Sequence, residues 1–354
     1  MVCYYLPYEY KGALTKTIFD VFSAVRINPY KPLLIKSGKN DMAIYHCTTK
    51  PISRSNGRSA TASSAYRAAI KIEDLRTGEI HDYRKKQGVE YTEIISNLDY
   101  PLSRSEVWNT SEITESRKNS RVAREFVIAL PSELSPDQRK DLAKEFSQYL
   151  VDRYSVIADL AIHAPNKEGD DRNHHAHIMI TTRKASIVEG ELKLLDKTDL
   201  ELSNTQRKDR GLCVTQDEIK EIREVWANMA NQSLMLSGHS ERIDHRSYEA
   251  QNLDLLPTIH EGPKVTQLRR KGIDTEIGRY NDQVKIDNQQ VLSSPEDIAE
   301  MLSKANAFAN SKLQEWQEKE AIKKQVQLEQ QRALKLMEKQ KNERKKGYSQ
   351  GFSR

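Results

Sequence analysis

Asn173-His-His-Ala-His-Ile-Met-Ile-Thr-Thr182 is the stretch on which the fold turns. Its histidines run straight into a short apolar segment, which predicts a strand from His175 to Thr182 buried on both faces. Alternate side chains of a strand share a face, so His175 and His177 point one way and His174 the other. His174 is therefore a bystander or an outer group. Just upstream, Ser155 to Ala164 is a second apolar run ending in Ala161-Ile-His-Ala164, and the acidic stretch Lys167-Glu-Gly-Asp-Asp171 reads as the turn between the two. Pairing the strands brings His163 beside His175 and His177. Two histidines at this spacing are surface polarity more often than ligands; a third on the adjoining strand reverses that preference. Three imidazoles with open positions leave room for substrate oxygens, whereas a closed set of four ligands is structural.

Before this pair, Met42-Ala-Ile-Tyr-His-Cys-Thr-Thr49 alternates like a strand and is followed by a loop from Lys50 to Gly57. Thr61 to Lys71 is rich in helix formers, with Ser59 or Thr61 as the N-cap, so Tyr66 falls on an early helix behind a basic loop. Glu79 to Tyr83 and Val89 to Ile95 flank Arg84-Lys-Lys-Gln-Gly88 and predict a hairpin whose basic tip could touch phosphates. Residues 104–120 read as a polar helix, and Arg124 to Leu130 as a buried strand stopped by Pro131. Ser135 to Leu150 reads as an amphipathic helix capped by Ser135 with Pro136 at its first position. Past a polar loop from Asn204 to Gly211, residues 216–236 form a long helix with Trp226 on its apolar side. Gly238 to Tyr280 is loop-like. Beyond about residue 308 charged residues dominate a solvated helix that ends in the basic run Lys339 to Lys346. Helices interleaved with strands argue for a layered fold, α/β or α+β.

The 354 residues suffice for one large domain with appendages or for two ordinary ones. At 37% apolar and 30% charged, part of the chain is expected to stay outside any core. A net charge of +5 suits a nucleic-acid partner and equally suits many enzymes of neutral ligands, so it decides nothing alone. Cys3, Cys47 and Cys213 are scattered, which supports neither a disulfide framework nor a thiolate zinc site. No apolar run is long enough to span a bilayer and the start lacks the order of a secretory signal, so a cytoplasmic protein without membrane insertion is expected.

Taken in order, these segments resemble the MobA/MobL family of plasmid mobilisation relaxases, in the His-hydrophobe-His nuclease superfamily. The resemblance runs from Met42 to about Tyr280. It is carried by Met42-Ala-Ile-Tyr-His46, Ala65-Tyr-Arg67, Ala123-Arg-Glu-Phe-Val-Ile-Ala-Leu-Pro131, Ala161-Ile-His-Ala164 and Asn173-His-His-Ala-His-Ile-Met179. Trp226-Ala-Asn228, Arg242-Ile-Asp-His-Arg246 and His260-Glu-Gly-Pro263 follow. The resemblance implies an α+β fold, a largely antiparallel five-stranded sheet with helices on its faces, with the histidines on central strands and Tyr66 on a helix over them. It further implies that His163, His175 and His177 hold the metal and that Tyr66 attacks a phosphodiester at an origin of transfer, leaving a 5′-phosphotyrosine and a free 3′-hydroxyl. Imidazoles suit zinc, copper, iron and nickel, but a phosphodiester calls for a hard divalent ion, Mg2+ or Mn2+. A phenol, with a pKa near 10, needs help to ionise at neutral pH, and Glu125 is the candidate base or metal-supporting carboxylate. Arg54, Arg58, Arg67, Arg84, Lys85 and Lys86 are candidate phosphate contacts. Tyr45, Tyr83 and Tyr91 fit strand packing better.

The expected organisation is residues 1–41 as an N-terminal extension or misassigned start, 42–282 as the nicking domain, and 283–354 as a charged helical tail. The tail lacks a P-loop, so no appended helicase is expected. Expected partners are single-stranded or locally melted plasmid origin DNA, with accessory mobilisation proteins and a type IV transfer channel or coupling protein. Three rivals stay open: a rolling-circle replication initiator of the same superfamily, a DNA-binding regulator with a structural metal, and a metal phosphodiesterase using water.

Overall fold

The structure, a computed structural model, describes residues 45–165, 172–259, 261–291 and 295–350. The expected extension 1–41, the opening of the first expected strand at 42–44, the acidic turn at 167–171 and His260 lie outside the described residues, as do the side chains of the basic run 339–346.

Five strands form the central sheet: β1 (Cys47–Ser53), β4 (Val89–Ile95), β5 (Arg121–Ala129), β6 (Ala158–His163) and β7 (His175–Ile180). Their order is β1-β5-β7-β6-β4, and every neighbouring pair is antiparallel. The apolar run of β7 earns the central place, because only a central strand is covered on both faces. On one face Phe126, Ile128, Leu160, Ile162, Ala176, Ile178 and Ile180 meet Phe146 and Trp226 in the main core. Those two aromatics come from α3 (Pro136–Tyr154) and α5 (Thr215–Leu236), and their rings lie 5.1 Å apart. The capping box of Ser135 and Gln138 starts α3 as expected.

The opposite face carries Asp159, Ala161 and His163 on β6 and His175, His177 and Met179 on β7. One end of it is dry: Met179 packs with Ile52, Ala123 and Trp108. The other end is the histidine end. Two helices, α1 (Ala60–Ala68) and α2 (Arg104–Thr114), lie over this face.

Several expected elements differ. Lys50 to Ser53 continue β1 instead of looping, because Ile52 is fully buried and pairs with Ala123. The hairpin expected around Arg84 to Gly88 does not form. Instead β2 (Lys71–Asp74) pairs with β3 (Glu79–Asp82), while β4 becomes the sheet edge against β6. The cause is the turn at Asp74: its carboxylate accepts from Arg76 N at 3.0 Å and Thr77 N at 3.1 Å, and its carbonyl accepts from Gly78 N at 2.7 Å. Gly78, at φ 74°, supplies the left-handed residue that closes it. The expected loop at 204–211 contains α4 (Asn204–Asp209), started by a Ser203–Gln206 capping box. Ahead of it, β8 (Arg183–Val188) and β9 (Glu191–Lys197) form a separate ribbon. The loop-like region 238–280 holds α6 (Gly262–Arg270) and the start of α7 (Glu276–Val291), which runs across the expected boundary at 282.

The last helix, α8 (Pro295–Gln350), is not solvated throughout. Ala309 and Leu313 are buried and Trp316 packs on the main core, whereas Ile322, Val326 and Leu328 are exposed. No described helix is long and apolar enough to cross a membrane. Because Trp226 is fully buried against Phe146, Trp226→Ala should lower stability by about 3–5 kcal/mol, read from denaturant unfolding. A loss below about 1 kcal/mol would contradict this packing.

Candidate active site

The register of β6 on β7 builds the site. His163 lies directly opposite His175, and Ala161 opposite His177, so three imidazoles project from one patch of the second face. Their ring centres are 5.4 Å (His163 to His175), 4.8 Å (His163 to His177) and 5.2 Å (His175 to His177) apart. Each offers a ligand nitrogen, and these nitrogens all lie within 4.8 Å of one another.

The hydrogen bonds prepare the rings as ligands. A carbonyl oxygen can only accept, so His163 Nε2 donates to the Arg67 carbonyl at 2.8 Å and His175 Nδ1 donates to the Asn173 carbonyl at 3.0 Å. His177 Nδ1 meets the Glu125 carboxylate at 2.7 Å. Each imidazole therefore has one nitrogen tied to an oxygen and the other left to bind, the arrangement that orients metal-bound histidines and fixes their tautomers. Burial pushes His163 down to about 4 and lowers His175 as well, so both rings are neutral at pH 7, as metal binding needs. The donor set fits a metal ion: three imidazoles, each with an outer partner in place, whose ligand nitrogens cluster within 4.8 Å.

Glu125 sits on β5, one strand from the imidazoles. Burial would raise its carboxyl, but hydrogen bonds from His177 and Arg67 outweigh that and bring it down to about 2. It also forms a buried ion pair with Arg67 and has the Arg58 guanidinium 3.8 Å away. Of the two roles expected for Glu125, the 2.7 Å contact with His177 Nδ1 is the one that support of a metal-binding imidazole requires. Deleting the carboxylate would strand Arg67 as a buried charge, at roughly 3–5 kcal/mol.

Tyr66 leaves α1 on its exposed side, with half of its surface open. Tyr83 does not pack in a strand as expected; its ring meets Tyr66 edge to face at 5.3 Å. Lys86, carried toward the site by the chain between β3 and β4, donates to the Tyr66 carbonyl at 2.9 Å and lies 4.2 Å from the Tyr66 ring centre. Burial and the neighbouring Arg67 charge lower its ammonium to about 8.

What holds α1 over the histidine face was not singled out from the sequence. Asp159 accepts from Ser64 Oγ at 2.6 Å, Trp108 Nε1 at 2.8 Å and Arg104 Nε at 2.8 Å, tying both helices to β6. Glu112 accepts from the first backbone N–H of α1, that of Ala60, at 2.6 Å. The one available signal was an acid, Asp159, inside a strand that is otherwise apolar up to His163.

The candidate phosphate contacts divide. Arg54 turns inward, where its Nε meets Glu112 at 2.9 Å and a second nitrogen reaches the Arg117 carbonyl at 3.0 Å, so its guanidinium is engaged within the fold. Arg67 is buried against Glu125. Arg84 pairs with Asp82 at 2.7 Å, and Lys85 is exposed. Arg58 and Lys86 reach the site itself. The segment Arg242 to Arg246 has a packing role. Ile243 exchanges backbone hydrogen bonds with the Asn231 amide at 2.8 and 2.9 Å, Arg242 reaches Asn310 at 2.9 Å, and Arg246 stacks over Phe308 at 3.3 Å. These contacts join α5 to α8. Glu125→Gln, which keeps the size but not the charge, should weaken Mn2+ binding by about 10- to 100-fold in isothermal titration calorimetry; unchanged affinity would remove Glu125 from the site.

The model of the MobA/MobL family matches residues 58–271, more than half of the chain and a span that holds all three imidazoles and Tyr66. "Mobilization protein MobL" of Acidithiobacillus ferridurans is 37% identical over 252 residues, 65% of this chain and 65% of that protein. "Mobilization protein A" of Escherichia coli is 33% identical over 72% of this chain, but the match covers 34% of that longer protein. The chain thus spans under two thirds of either relative. A solved structure described as "Molecular Basis of Vancomycin Resistance Transfer in Staphylococcus aureus" is 34% identical, covering 58% of this chain and all of that one at a TM-score of 0.48. With the imidazole patch lying inside the matched span, the chain belongs to the MobA/MobL family of plasmid mobilisation relaxases.

Proposed function

We propose that this chain nicks and rejoins one strand of DNA at a plasmid origin of transfer, with Tyr66 as the nucleophile. The observation that carries the reading is the convergence of three prepared imidazoles beneath the end of the helix that presents an exposed tyrosine. His163 donates to the backbone of Arg67, the residue after Tyr66, so triad and nucleophile are joined through one hydrogen bond. Family membership supports the substrate class.

In the proposed reaction the Tyr66 phenolic oxygen forms a bond to phosphorus and the bond from phosphorus to the 3′-oxygen breaks. The phenol gives up its proton and the departing oxygen gains one, which leaves a 5′-phosphotyrosine and a 3′-hydroxyl. No co-reactant is consumed, so the same steps in reverse reseal the strand. A divalent ion such as Mg2+ or Mn2+, held by His163, His175 and His177, would polarise a phosphate oxygen and stabilise the charge growing at phosphorus. Glu125 orients His177 and keeps it a good ligand. Asp159 and Glu112 fix α1, so that Tyr66 is aimed without being buried. Arg58 and Lys85 are the proposed backbone contacts to single-stranded or locally melted origin DNA.

The nicking unit of this proposal is residues 42–282 together with the part of α8 that packs on α5. The part of α8 beyond Trp316 is the proposed contact for accessory mobilisation proteins or a transfer-channel coupling protein, and the proposed setting is the cytoplasm.

The test mixes the protein, Mn2+ and an end-labelled single strand carrying the plasmid's origin, and resolves the products on a denaturing gel. A protein-linked band that Tyr66→Phe and a chelator each abolish is expected. Cleavage without a linked band would mean a water nucleophile, and retention of DNA without cleavage would favour a regulator; either would overturn the reading.

A further inference from the structure

Lys86 is the cation of the site whose own anion is missing. It is half-buried, and the charge that acts on it is that of Arg67, of the same sign. Arg67 in turn is neutralised by Glu125, a carboxylate already shared with His177. Among the described residues the Lys86 ammonium contacts three groups. Its Nζ donates to the Tyr66 carbonyl at 2.9 Å, stands 4.2 Å from the centre of the Tyr66 ring, and approaches His163 Nε2 at 3.4 Å. The last contact is not a hydrogen bond, because that nitrogen already donates to the Arg67 carbonyl at 2.8 Å. An ammonium has three N–H donors, so after the Tyr66 carbonyl two remain, on a charge held between the phenol ring and the imidazoles. A partly desolvated cation beside a like charge is unfavourable unless an anion joins it.

We propose that Lys86 is a catalytic residue: its two remaining N–H groups hold a non-bridging oxygen of the phosphate that Tyr66 attacks. The inference rests on Tyr66 being the nucleophile. Negative charge on those oxygens grows as the phenolic oxygen closes on phosphorus, and a fixed ammonium there stabilises the transition state more than the bound substrate. The bond to the Tyr66 carbonyl has a second effect. It ties the position of the cation to the helix that carries the nucleophile, so phosphate and phenol are placed by one side chain. Other cations nearby are differently engaged: Arg84 is paired with Asp82 outside the site, and Arg54 is turned into the fold.

The test uses Lys86→Met, which keeps most of the apolar stem, and Lys86→Arg, which keeps the charge. With saturating origin strand and Mn2+, single-turnover formation of the protein-linked product should fall about 100-fold in Lys86→Met and recover in part in Lys86→Arg. Binding is measured separately on uncleaved strand, in a Tyr66→Phe background, as a function of salt. There the slope of log affinity against log salt should drop by about 0.7 on replacing Lys86 with Met, the signature of one lost contact to a single-strand phosphate. A lysine that only braces α1 would leave that slope alone, and an unchanged slope overturns the proposal, as does a linked product formed at the wild-type rate by Lys86→Met. The slope needs no cleavage, so it judges Lys86 even if the wild-type protein forms no linked product, the outcome that would sink the Tyr66 reading itself.

Discussion

The antiparallel register that sets His163 opposite His175 is the constraint on which the site depends. A slip of one residue between β6 and β7 would send His163 to the core face and bring a leucine or isoleucine side chain into the imidazole patch. The slip is resisted by the other face, where Leu160, Ile162, Ala176 and Ile178 are all buried against α3 and α5. Core packing on one side of the sheet thus fixes the geometry of the imidazoles on the other. No separate device is needed to aim the two strands.

The helix that carries Tyr66 is positioned by polar groups. Asp159 and Glu112 are buried carboxylates whose oxygens are taken up by Ser64, Trp108, Arg104, Arg54 and the N-terminus of α1. Buried acids of this kind are tolerable only when their hydrogen bonds are made, and those bonds have direction, unlike apolar contact. They hold α1 at a set height over the sheet while leaving Tyr66 outside. Electrostatics in the site follow the same division: Glu125 cancels Arg67, and Lys86 stands between the Tyr66 ring and His163.

What the sequence made legible was local or periodic. The run after His177, the i, i+2 histidines and the caps at Ser59 and Ser135 each state a physical preference within a few residues, and strand, face and helix start follow. The antiparallel five-stranded sheet needed the family resemblance, because strand order is not written in any one segment. The misreading at Arg84 to Gly88 came from scoring two β-like runs as partners without weighing Asp74 and Gly78, whose turn had already claimed β3 for β2. Long-range polar pairs were invisible for a plainer reason: Ser64 and Asp159 stand 95 residues apart, and no local pattern links them. Arg54 looked like a surface cation for the same reason, its acid Glu112 lying 58 residues away.

Because Tyr83 lies 5.3 Å from Tyr66, ring centre to ring centre, the most direct measurement locates the DNA on the protein. The covalent product would be digested with nuclease and trypsin, and the peptide retaining a nucleotide sequenced by mass spectrometry. The account predicts a 5′-phosphate on Tyr66, within the peptide Ser59 to Arg67. A phosphate on Tyr83, or on a residue other than tyrosine, would contradict it.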